Sequence, residues 1–357
     1  MSDARPEMRK LGSTAKVRES FHPPSIKDIA RLAKVSHPTV SRALQNSPLV
    51  NPRTAEKIRK IAAAAGYRPS AVARGLLTQR TRSIGLVVTT IADPFTSEVA
   101  SGFEQTANDL GYCVILADSN ADPERERKIV ESFAERRLDG IVVTSSRVGA
   151  LYVPVLEEIR VPIILVNNQH PGSFAHSVTV RNQAGSRVAV EHLIGLGHRR
   201  IAYIGDQFGY QSDTERLAGY REALRGAGIA ARSKFVIGGD GKPEAAERAM
   251  EQLLRLPVRP TAVFCYNDMS AVGAMRAIRL RGLRVPADIS VVGFDDLFLA
   301  SYTDPPLTTM RQPMRRMGQL AMEHLERLID QRESVVRVEL DAELIVRAST
   351  GPVPPVG

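Results

Sequence analysis

The pattern of hydrophobic and polar positions changes near residue 83. Before that point, apolar residues recur every three or four positions in short segments, which is the spacing of one helix face. After it, short apolar runs alternate with longer amphipathic segments, the pattern of parallel strands joined by helices. The pattern therefore predicts a small all-α head followed by a large α/β body.

The head contains three predicted helices. The first begins at the capping residue Ser25, and the third follows the cap-and-proline pair Asn51–Pro52 and stops at Gly66. Between them, the helical spacing resumes at Pro38 after the polar break Lys34–Ser36. Two short helices joined by a tight turn predict a helix-turn-helix unit, with a DNA-binding domain at 25–69.

The start of the second helix is the part of such a unit that enters the major groove of DNA. Short hydroxyl side chains and an arginine suit contacts with base edges and phosphates. The residues expected there are Ser36, His37, Pro38, Thr39, Ser41 and Arg42.

The segment 70–82 is predicted to be a hinge helix and linker. It has a cap at Ser70, but it contains Gly75 and is too short to be a stable helix alone. We expect it to order only on binding.

The body alternates strands and helices in two series, which predict two doubly wound lobes. The first series has apolar runs at 84–88, 113–117, 140–144 and 162–166, and the second at 201–204, 235–238, 262–265 and 290–292. We expect the first lobe to comprise roughly 83–180 with 312–331, and the second 181–311 with 332–350. The whole region 83–350 is predicted to bind an effector and to dimerise, and 351–357 to be a loose tail.

Polar residues follow the predicted strands at the same topological position in both lobes. Examples are Asn167, Asp206, Asn267 and Asp295, each within three residues of the end of an apolar run. Ligands of doubly wound sheets bind beyond the carboxyl ends of the strands, so a cleft between the lobes would gather these groups. Together with a forked donor such as Arg216, they favour a sugar or another polyhydroxylated metabolite.

Charge separates the head from the body. The chain has a net charge of +9, but residues 1–82 carry 17 Lys and Arg against 5 Asp and Glu, whereas 83–357 carry 31 against 34. A basic head on a slightly acidic body indicates a partner that is a polyanion, which supports binding of double-stranded DNA. Residues 1–24 are predicted to be a disordered basic extension.

Other classes of protein are disfavoured by what the sequence contains. No run approaches the roughly 18 apolar residues of a membrane span, and the first residues lack a secretory signal, so we expect no membrane partner and a cytoplasmic location. Cys113 and Cys265 lie in apolar stretches and are expected to be buried thiols. We expect His198 to have a role at a helix end, and we expect no catalytic residue, metal or cofactor.

Several motifs are similar to those of the lactose repressor/galactose repressor (LacI/GalR) family. In the head these are Val35–Leu44, Gly66–Pro69 and Ala73–Leu76, and in the body Gly197–Ala202, Arg216–Tyr220, Pro260–Phe264, Val291–Asp296 and Pro306–Thr309. The resemblance extends from Ser25 to about residue 350. It implies an all-α helix-turn-helix headpiece with a hinge helix, followed by a two-lobed α/β core of the type 1 periplasmic-binding-protein-like fold.

The resemblance also implies roles for particular residues. His37 and Pro38 correspond to positions that read bases, and Leu76, in the motif with Ala73, to the leucine that enters the minor groove from a paired hinge helix. The residues that resemble effector contacts are Phe95, Arg216, Asp268 and Asp295, with Tyr210, Ser212 and Gln312. Asn167 and Asn168 depart from the commoner Asp-Arg pair, which leaves the chemical class of the ligand open between a neutral sugar and an acidic effector.

Three functions remain to be distinguished. The favoured one is a transcriptional regulator, a repressor that binds a palindromic operator as a homodimer under control of a small-molecule effector. The alternative is a solute-binding receptor without DNA function, which would have no use for a basic head. An α/β enzyme would need a nucleophile with its base or a metal cluster, and the sequence has neither pattern.

Overall fold

The computed structural model describes residues 24–68, 80–146, 148, 161–169, 176–332 and 334–353. The chain divides into two compact units, Met1–Gln79 and Arg80–Gly357. The first unit contains the head and the second contains the body.

The head is a bundle of three helices, as the sequence predicts. They are α1 (Ile26–Ala33), α2 (His37–Leu44) and α3 (Pro52–Ala64). Ser25 and Asp28 form a capping box at the start of α1, because each side chain accepts a hydrogen bond from the other residue's backbone N–H. Ile29, Val40 and Ile58 are fully buried and join the three helices in one apolar core.

The body contains twelve strands and seven helices in its described part. The strands are β1 (Ser83–Val88), β2 (Cys113–Asp118), β3 (Gly140–Thr144), β4 (Ile163–Val166), β5 (His176–Val180), β6 (Ile201–Asp206), β7 (Val236–Gly239), β8 (Ala262–Cys265), β9 (Ser290–Asp295), β10 (Thr308–Arg311), β11 (Val336–Leu340) and β12 (Glu343–Ile345). The helices are α4 (Pro94–Asp109), α5 (Pro123–Glu135), α6 (Asn182–Gly195), α7 (Gln211–Gly226), α8 (Pro243–Leu254), α9 (Asp268–Leu280) and α10 (Met314–Ile329).

The strands form two six-stranded sheets, one in each lobe. The first has the order β11-β5-β4-β3-β1-β2 and is parallel throughout. The second has the order β12-β10-β9-β8-β6-β7 and is parallel except for β12. Apolar clusters under the helices form the core of each lobe, which confirms the predicted two-lobed α/β architecture.

The chain passes between the two sheets at three places: after β5, after β10 and after β11. The strands β5 and β10 were missed by the sequence analysis. Both are short, and their residues include several Thr, Ser and charged side chains rather than a continuous apolar run. Their ends lie next to the cleft between the lobes, so the omission concerns residues close to the candidate site.

The structure corrects the expected limits of the second lobe. The sequence places 332–350 in it, but Val336–Leu340 pairs with β5 of the first sheet. The last part of that range does join the second lobe, since Glu343–Ile345 pairs with β10 and the Ser349 carbonyl accepts from the Val291 N–H at 2.9 Å. Val338 and Leu340 pack against the apolar core of the first lobe, which explains the pairing with β5.

Two further expectations were wrong. Cys113 is exposed rather than buried, because β2 is the edge strand of its sheet. The tail is not loose over its described residues, since the Val353 N–H donates to the Leu196 carbonyl and the Gly351 carbonyl contacts the buried ring of His198. As expected, His198 closes the end of α6, because its N–H donates to the Leu193 carbonyl at 3.1 Å. Its side chain has a second role, which is to fasten the tail.

Helices α4 and α10 pack closely enough for their backbones to touch. A Cβ at Gly102 would lie 2.0 Å from the Arg315 carbonyl oxygen, and a Cβ at Gly318 would lie 2.0 Å from the Val99 carbonyl oxygen. Glycine is therefore required on both helices at this crossing. An ion pair of 2.7 Å between Glu98 and Arg315 lies beside it.

Candidate effector and DNA-binding sites

Arg216 is the central cation of the candidate effector site. It lies on α7 and is 2% exposed. Its Nε donates to the Asn182 side-chain oxygen at 2.9 Å, and its Nη1 donates to the Tyr266 carbonyl at 2.6 Å. The guanidinium carbon lies 3.8 Å from the centre of the Phe294 ring and 4.8 Å from that of Tyr266. These contacts fix the plane of the guanidinium, which prepares its remaining N–H groups for a ligand.

A second group of polar side chains joins the two lobes. Gln169 follows β4 of the first lobe, and its side-chain oxygen accepts a hydrogen bond from the Ser212 hydroxyl at 2.6 Å. Its backbone carbonyl accepts from the Gln211 N–H at 3.1 Å. The Ser212 hydroxyl also contacts the Tyr266 hydroxyl at 2.7 Å. Gln169 therefore supplies acceptors to the start of α7 from across the cleft, where the helix has unpaired N–H groups.

Asp295 lies at the carboxyl end of β9 and accepts a hydrogen bond from the Gln312 side-chain nitrogen at 2.6 Å. Burial raises the pKa of Asp295 well above its usual value, and the nearby Arg216 opposes that effect. The Gln312 side-chain oxygen is buried and has no hydrogen-bond partner among the described residues. A buried amide oxygen without a partner is costly, so this atom is well suited to accept a hydrogen bond from a ligand hydroxyl.

Asp268 and Asn267 have internal partners for their polar atoms. The Asp268 carboxylate accepts from the Thr309 hydroxyl at 2.5 Å and from the Leu297 N–H at 2.8 Å, and burial raises its pKa to about 6. Asn267 caps α9 through the Ser270 N–H and donates to the Gly241 carbonyl. Both residues thus hold loops of the second lobe in place.

The remaining predicted effector residues lie around this group. Phe95 is in the first turn of α4 and is buried in the apolar core of the first lobe. Tyr210 caps the start of α7, and its ring packs against Phe208 with centroids 5.5 Å apart. Asn167 follows β4 with a positive φ of 53°, and its side chain reaches the Ser145 hydroxyl at 3.5 Å.

A cavity of about 860 Å³ lies beside the Arg216 group. Among the described residues, Asn167 is the one predicted effector residue in its lining. Asn182 connects the cavity with the Arg216 group. It lines the cavity, accepts a hydrogen bond from Arg216 and donates one to Glu215 at 2.9 Å. This space is large enough for a ligand of sugar size.

Four residues of this site were missed as site residues: Gln169, Asn182, Tyr266 and Phe294. Tyr266 and Phe294 flank predicted residues at the ends of β8 and β9, so their position after or within a strand was the available signal. Asn182 follows the undetected strand β5. Gln169 contacts Ser212, which is 43 residues away, and no local pattern indicates that pairing.

The head presents the start of α2 on its surface. Ser36, His37, Pro38 and Arg42 are exposed, whereas Thr39 and Ser41 are partly buried. The Ser36 and Thr39 hydroxyls are 2.8 Å apart, which orders the first turn. Val40 and Ala43 face the core of the head. The exposed set has the shape and donors that major-groove recognition requires. The predicted hinge residues Ala73 and Leu76 lie outside the described residues.

No group of three or more His, Cys, Asp or Glu side chains in the described part of the chain is arranged to hold a metal ion. No helix in that part combines the length and the apolar character that crossing a membrane requires.

Comparisons with known proteins agree with this architecture. Residues 25–70 match the family described as "Bacterial regulatory proteins, lacI family", and residues 190–350 match the periplasmic binding protein-like domain. The chain is 38% identical over 325 residues to the HTH-type transcriptional repressor PurR of Vibrio campbellii, covering 90% of this chain and 97% of that protein.

Two solved structures are also similar. A lac repressor dimer bound to operator and the anti-inducer ONPF superposes with a TM-score of 0.85 at 30% identity, covering 92% of this chain and all of that one. The complex of the transcriptional regulator CelR with cellobiose has a TM-score of 0.70 at 31% identity, covering 91% and 99% of the two chains. The chain therefore belongs to the lacI family of bacterial regulatory proteins.

Proposed function

We propose that this chain is a repressor of transcription that binds a palindromic operator as a homodimer, and that a small polar molecule in the cleft between the lobes sets its affinity for DNA. One observation carries the proposal. The same chain contains an exposed helix-turn-helix surface and a body in which a buried arginine is held by hydrogen bonds at the cleft. Residues His37, Pro38 and Arg42 would contact the operator, and Arg216, Asp295 and Gln312 the effector.

A homodimer on a palindrome is supported by the geometry of helix-turn-helix recognition. One head covers one half-site, and two heads related by a two-fold axis cover a symmetric pair. The similar lac repressor structure is described as a dimer bound to operator, which supports the same arrangement here. The basic head would add phosphate contacts that depend strongly on salt concentration.

A sugar or sugar derivative is the effector class that the site favours. Each sugar hydroxyl both donates and accepts hydrogen bonds. The cleft offers the guanidinium of Arg216, the buried side-chain oxygen of Gln312, which has no partner among the described residues, and the carboxyl of Asp295, whose pKa is raised by burial. The similar CelR structure is described as a complex with cellobiose. Asn167 and Asn168 supply neutral amides where an acidic effector would benefit from a cation.

We also propose that the chain has no catalytic activity. The relatives are transcriptional repressors. Cys265, the buried thiol of the body, has its pKa raised by burial, which disfavours the thiolate that nucleophilic catalysis would need.

The experiment is selection of DNA from a random duplex pool by the purified full-length protein at physiological salt. Each round is repeated with a panel of monosaccharides, disaccharides and sugar acids. Enrichment of one palindrome, with enrichment altered by one compound, would support the proposal. Equal binding of all sequences would reject specific recognition, and compound binding without any effect on DNA would favour the solute receptor.

A further inference from the structure

The segment Arg80–Arg82 is held tightly against the first lobe where the chain enters the body. The Asp139 carboxylate accepts three hydrogen bonds: from the Thr81 N–H at 2.7 Å, from the Thr81 hydroxyl at 2.9 Å and from the Arg82 N–H at 2.9 Å. The Thr81 hydroxyl also reaches the Arg137 carbonyl at 3.1 Å. One carboxylate thus fixes two consecutive residues of the linker.

A second anchor lies next to the first. Arg80 forms an ion pair of 2.7 Å with Asp330 and donates to the Ile329 carbonyl at 3.2 Å. The backbone of Arg82 has a positive φ of 52°, a conformation that a residue with a side chain seldom adopts. Such a conformation persists only where surrounding contacts enforce it, and the Asp139 carboxylate provides them.

The helices that end at this anchor begin at the cleft. Helix α10 starts two residues after Gln312, whose side chain contacts Asp295, and it ends at Ile329, whose carbonyl holds Arg80. Helix α4 starts after Asp93, which interacts electrostatically with Asp295, and the carbonyl of Leu110 at its far end accepts from Arg82 at 3.4 Å. Each helix has 16 residues, or roughly 24 Å of length.

The two helices are in direct backbone contact at Gly102 and Gly318, without intervening side chains. Such a contact leaves little room for one helix to slide along the other. A displacement of the cleft ends would therefore be carried to the ends that hold the linker.

We propose that Asp139 and Asp330 are positioning residues that dock the linker onto the first lobe, so that movement of this lobe changes the direction in which the chain leaves the body. This inference rests on the proposed function, since it concerns how the effector reaches the DNA. A ligand changes DNA affinity only through an element whose position differs between two states. Without the dock, Arg80–Arg82 would move freely and average out the displacement of the lobe.

The test uses the full-length protein, the palindrome enriched by the wild type, and the sugar that most raises its melting temperature. Asp139→Asn and Asp330→Asn are compared with the wild type. Glu247→Gln is the matched control, because Glu247 forms an ion pair with Arg276 between two helices of the second lobe, away from the linker. Operator affinity is measured with and without the sugar, and the shift in melting temperature reports sugar binding separately.

We expect the wild type and Glu247→Gln to change operator affinity on the order of tenfold or more when the sugar is added, within the usual range of such coupling. The two dock variants should keep the melting shift but change affinity less than about threefold. If the sugar changes the operator affinity of Asp139→Asn and Asp330→Asn as much as that of the wild type, the inference is overturned.

A second pair of variants covers a failure of Asp139→Asn to fold. Thr81→Val and Arg80→Gln loosen the same dock from the linker side, and the same criterion applies to them. If the wild type itself selects no palindrome, or if no sugar changes its affinity, the proposed function is rejected and the inference with it. That result is distinct, because it concerns the wild type and not the variants.

Discussion

The guanidinium of Arg216 lies over the ring of Phe294, with 3.8 Å between the guanidinium carbon and the ring centre. Phe294 belongs to β9 and immediately precedes Asp295, so the aromatic ring and the carboxylate come from adjacent residues of one strand. The ring fixes one face of the cation, while Asn182 and the Tyr266 carbonyl occupy two of its donors. Arg216 is therefore oriented before any ligand arrives, which lowers the entropic cost of binding.

We predict that Arg216→Lys abolishes the effector response and lowers the free energy of unfolding by about 1–3 kcal/mol, because a lysine cannot supply the planar fork that satisfies these buried partners. Arg221→Lys, an exposed position on the same helix, is the control and should have little effect on either property. Chemical denaturation gives the stability, and a melting-temperature assay with the selected sugar gives the response. Retained response in Arg216→Lys would show that effector binding does not require the planar fork of the guanidinium.

Replacement of His37 and Pro38 by alanine should change which bases are preferred in each half-site. Both side chains are exposed at the start of α2, where base edges are read. The dependence of affinity on salt concentration should stay the same, because it reports phosphate contacts. Repeating the DNA selection with the variant and measuring its salt slope tests this. An equal loss of affinity on all sequences would assign these residues to positioning of the head only.

His198 should make the stability of the folded body decrease at acidic pH. The Gly351 carbonyl can only accept, so Nε2 carries the proton and Nδ1 accepts from the Thr261 hydroxyl at 3.0 Å. Burial lowers the pKa of His198, with His192 the nearby charged group that adds to the effect. The folded state thus disfavours the protonated ring, and its stability is full above the unfolded pKa of about 6.5 and falls as the pH drops below it.

The variant His198→Gln isolates this effect. Glutamine also offers a donor and an acceptor, but it does not titrate. Urea denaturation between pH 7.5 and 5.5 should give a smaller loss of stability for the variant than for the wild type. Identical losses in the two proteins would place the acid sensitivity elsewhere.

Gly102→Ala should destabilise the first lobe, because the new methyl group would lie 2.0 Å from the backbone oxygen of Arg315. We expect a loss of about 2–4 kcal/mol, the range for overpacking against a backbone that cannot move aside. Gly195→Ala is the matched control at the end of α6, where nothing lies within 4 Å of the new carbon, and it should stabilise the fold by roughly 0.5 kcal/mol. Equal melting temperatures of Gly102→Ala and Gly195→Ala would contradict the close crossing of the two helices.

The sequence was sufficient for features that depend on local chemistry. Ser25 and Asn51 cap the helices that they were expected to cap, and the eight predicted apolar runs coincide with β1–β4 and β6–β9. The position of Asp295 at the end of a strand also followed from such a run. In each case the decisive interactions lie within a few residues of one another.

Other features depend on contacts that are distant in the chain. Cys113 has the apolar neighbours of a buried strand, but its exposure is set by the position of β2 at the edge of the sheet. The bonds from Gln169 to Ser212 and from Asn182 to Arg216 exist only once the lobes have formed. Likewise, the dock of Asp139 joins residues that are 58 positions apart. No periodicity in the sequence reports such pairs.

We expect occupation of the cleft to control sequence-specific binding of DNA. The most direct measurement is a fluorescence titration of full-length protein onto the selected palindrome and onto a scrambled duplex, each with and without the selected sugar at physiological salt. The palindrome alone should bind tightly, and the sugar should change that affinity several-fold. Equal affinity for both duplexes, unchanged by any sugar that binds the protein, would contradict this expectation.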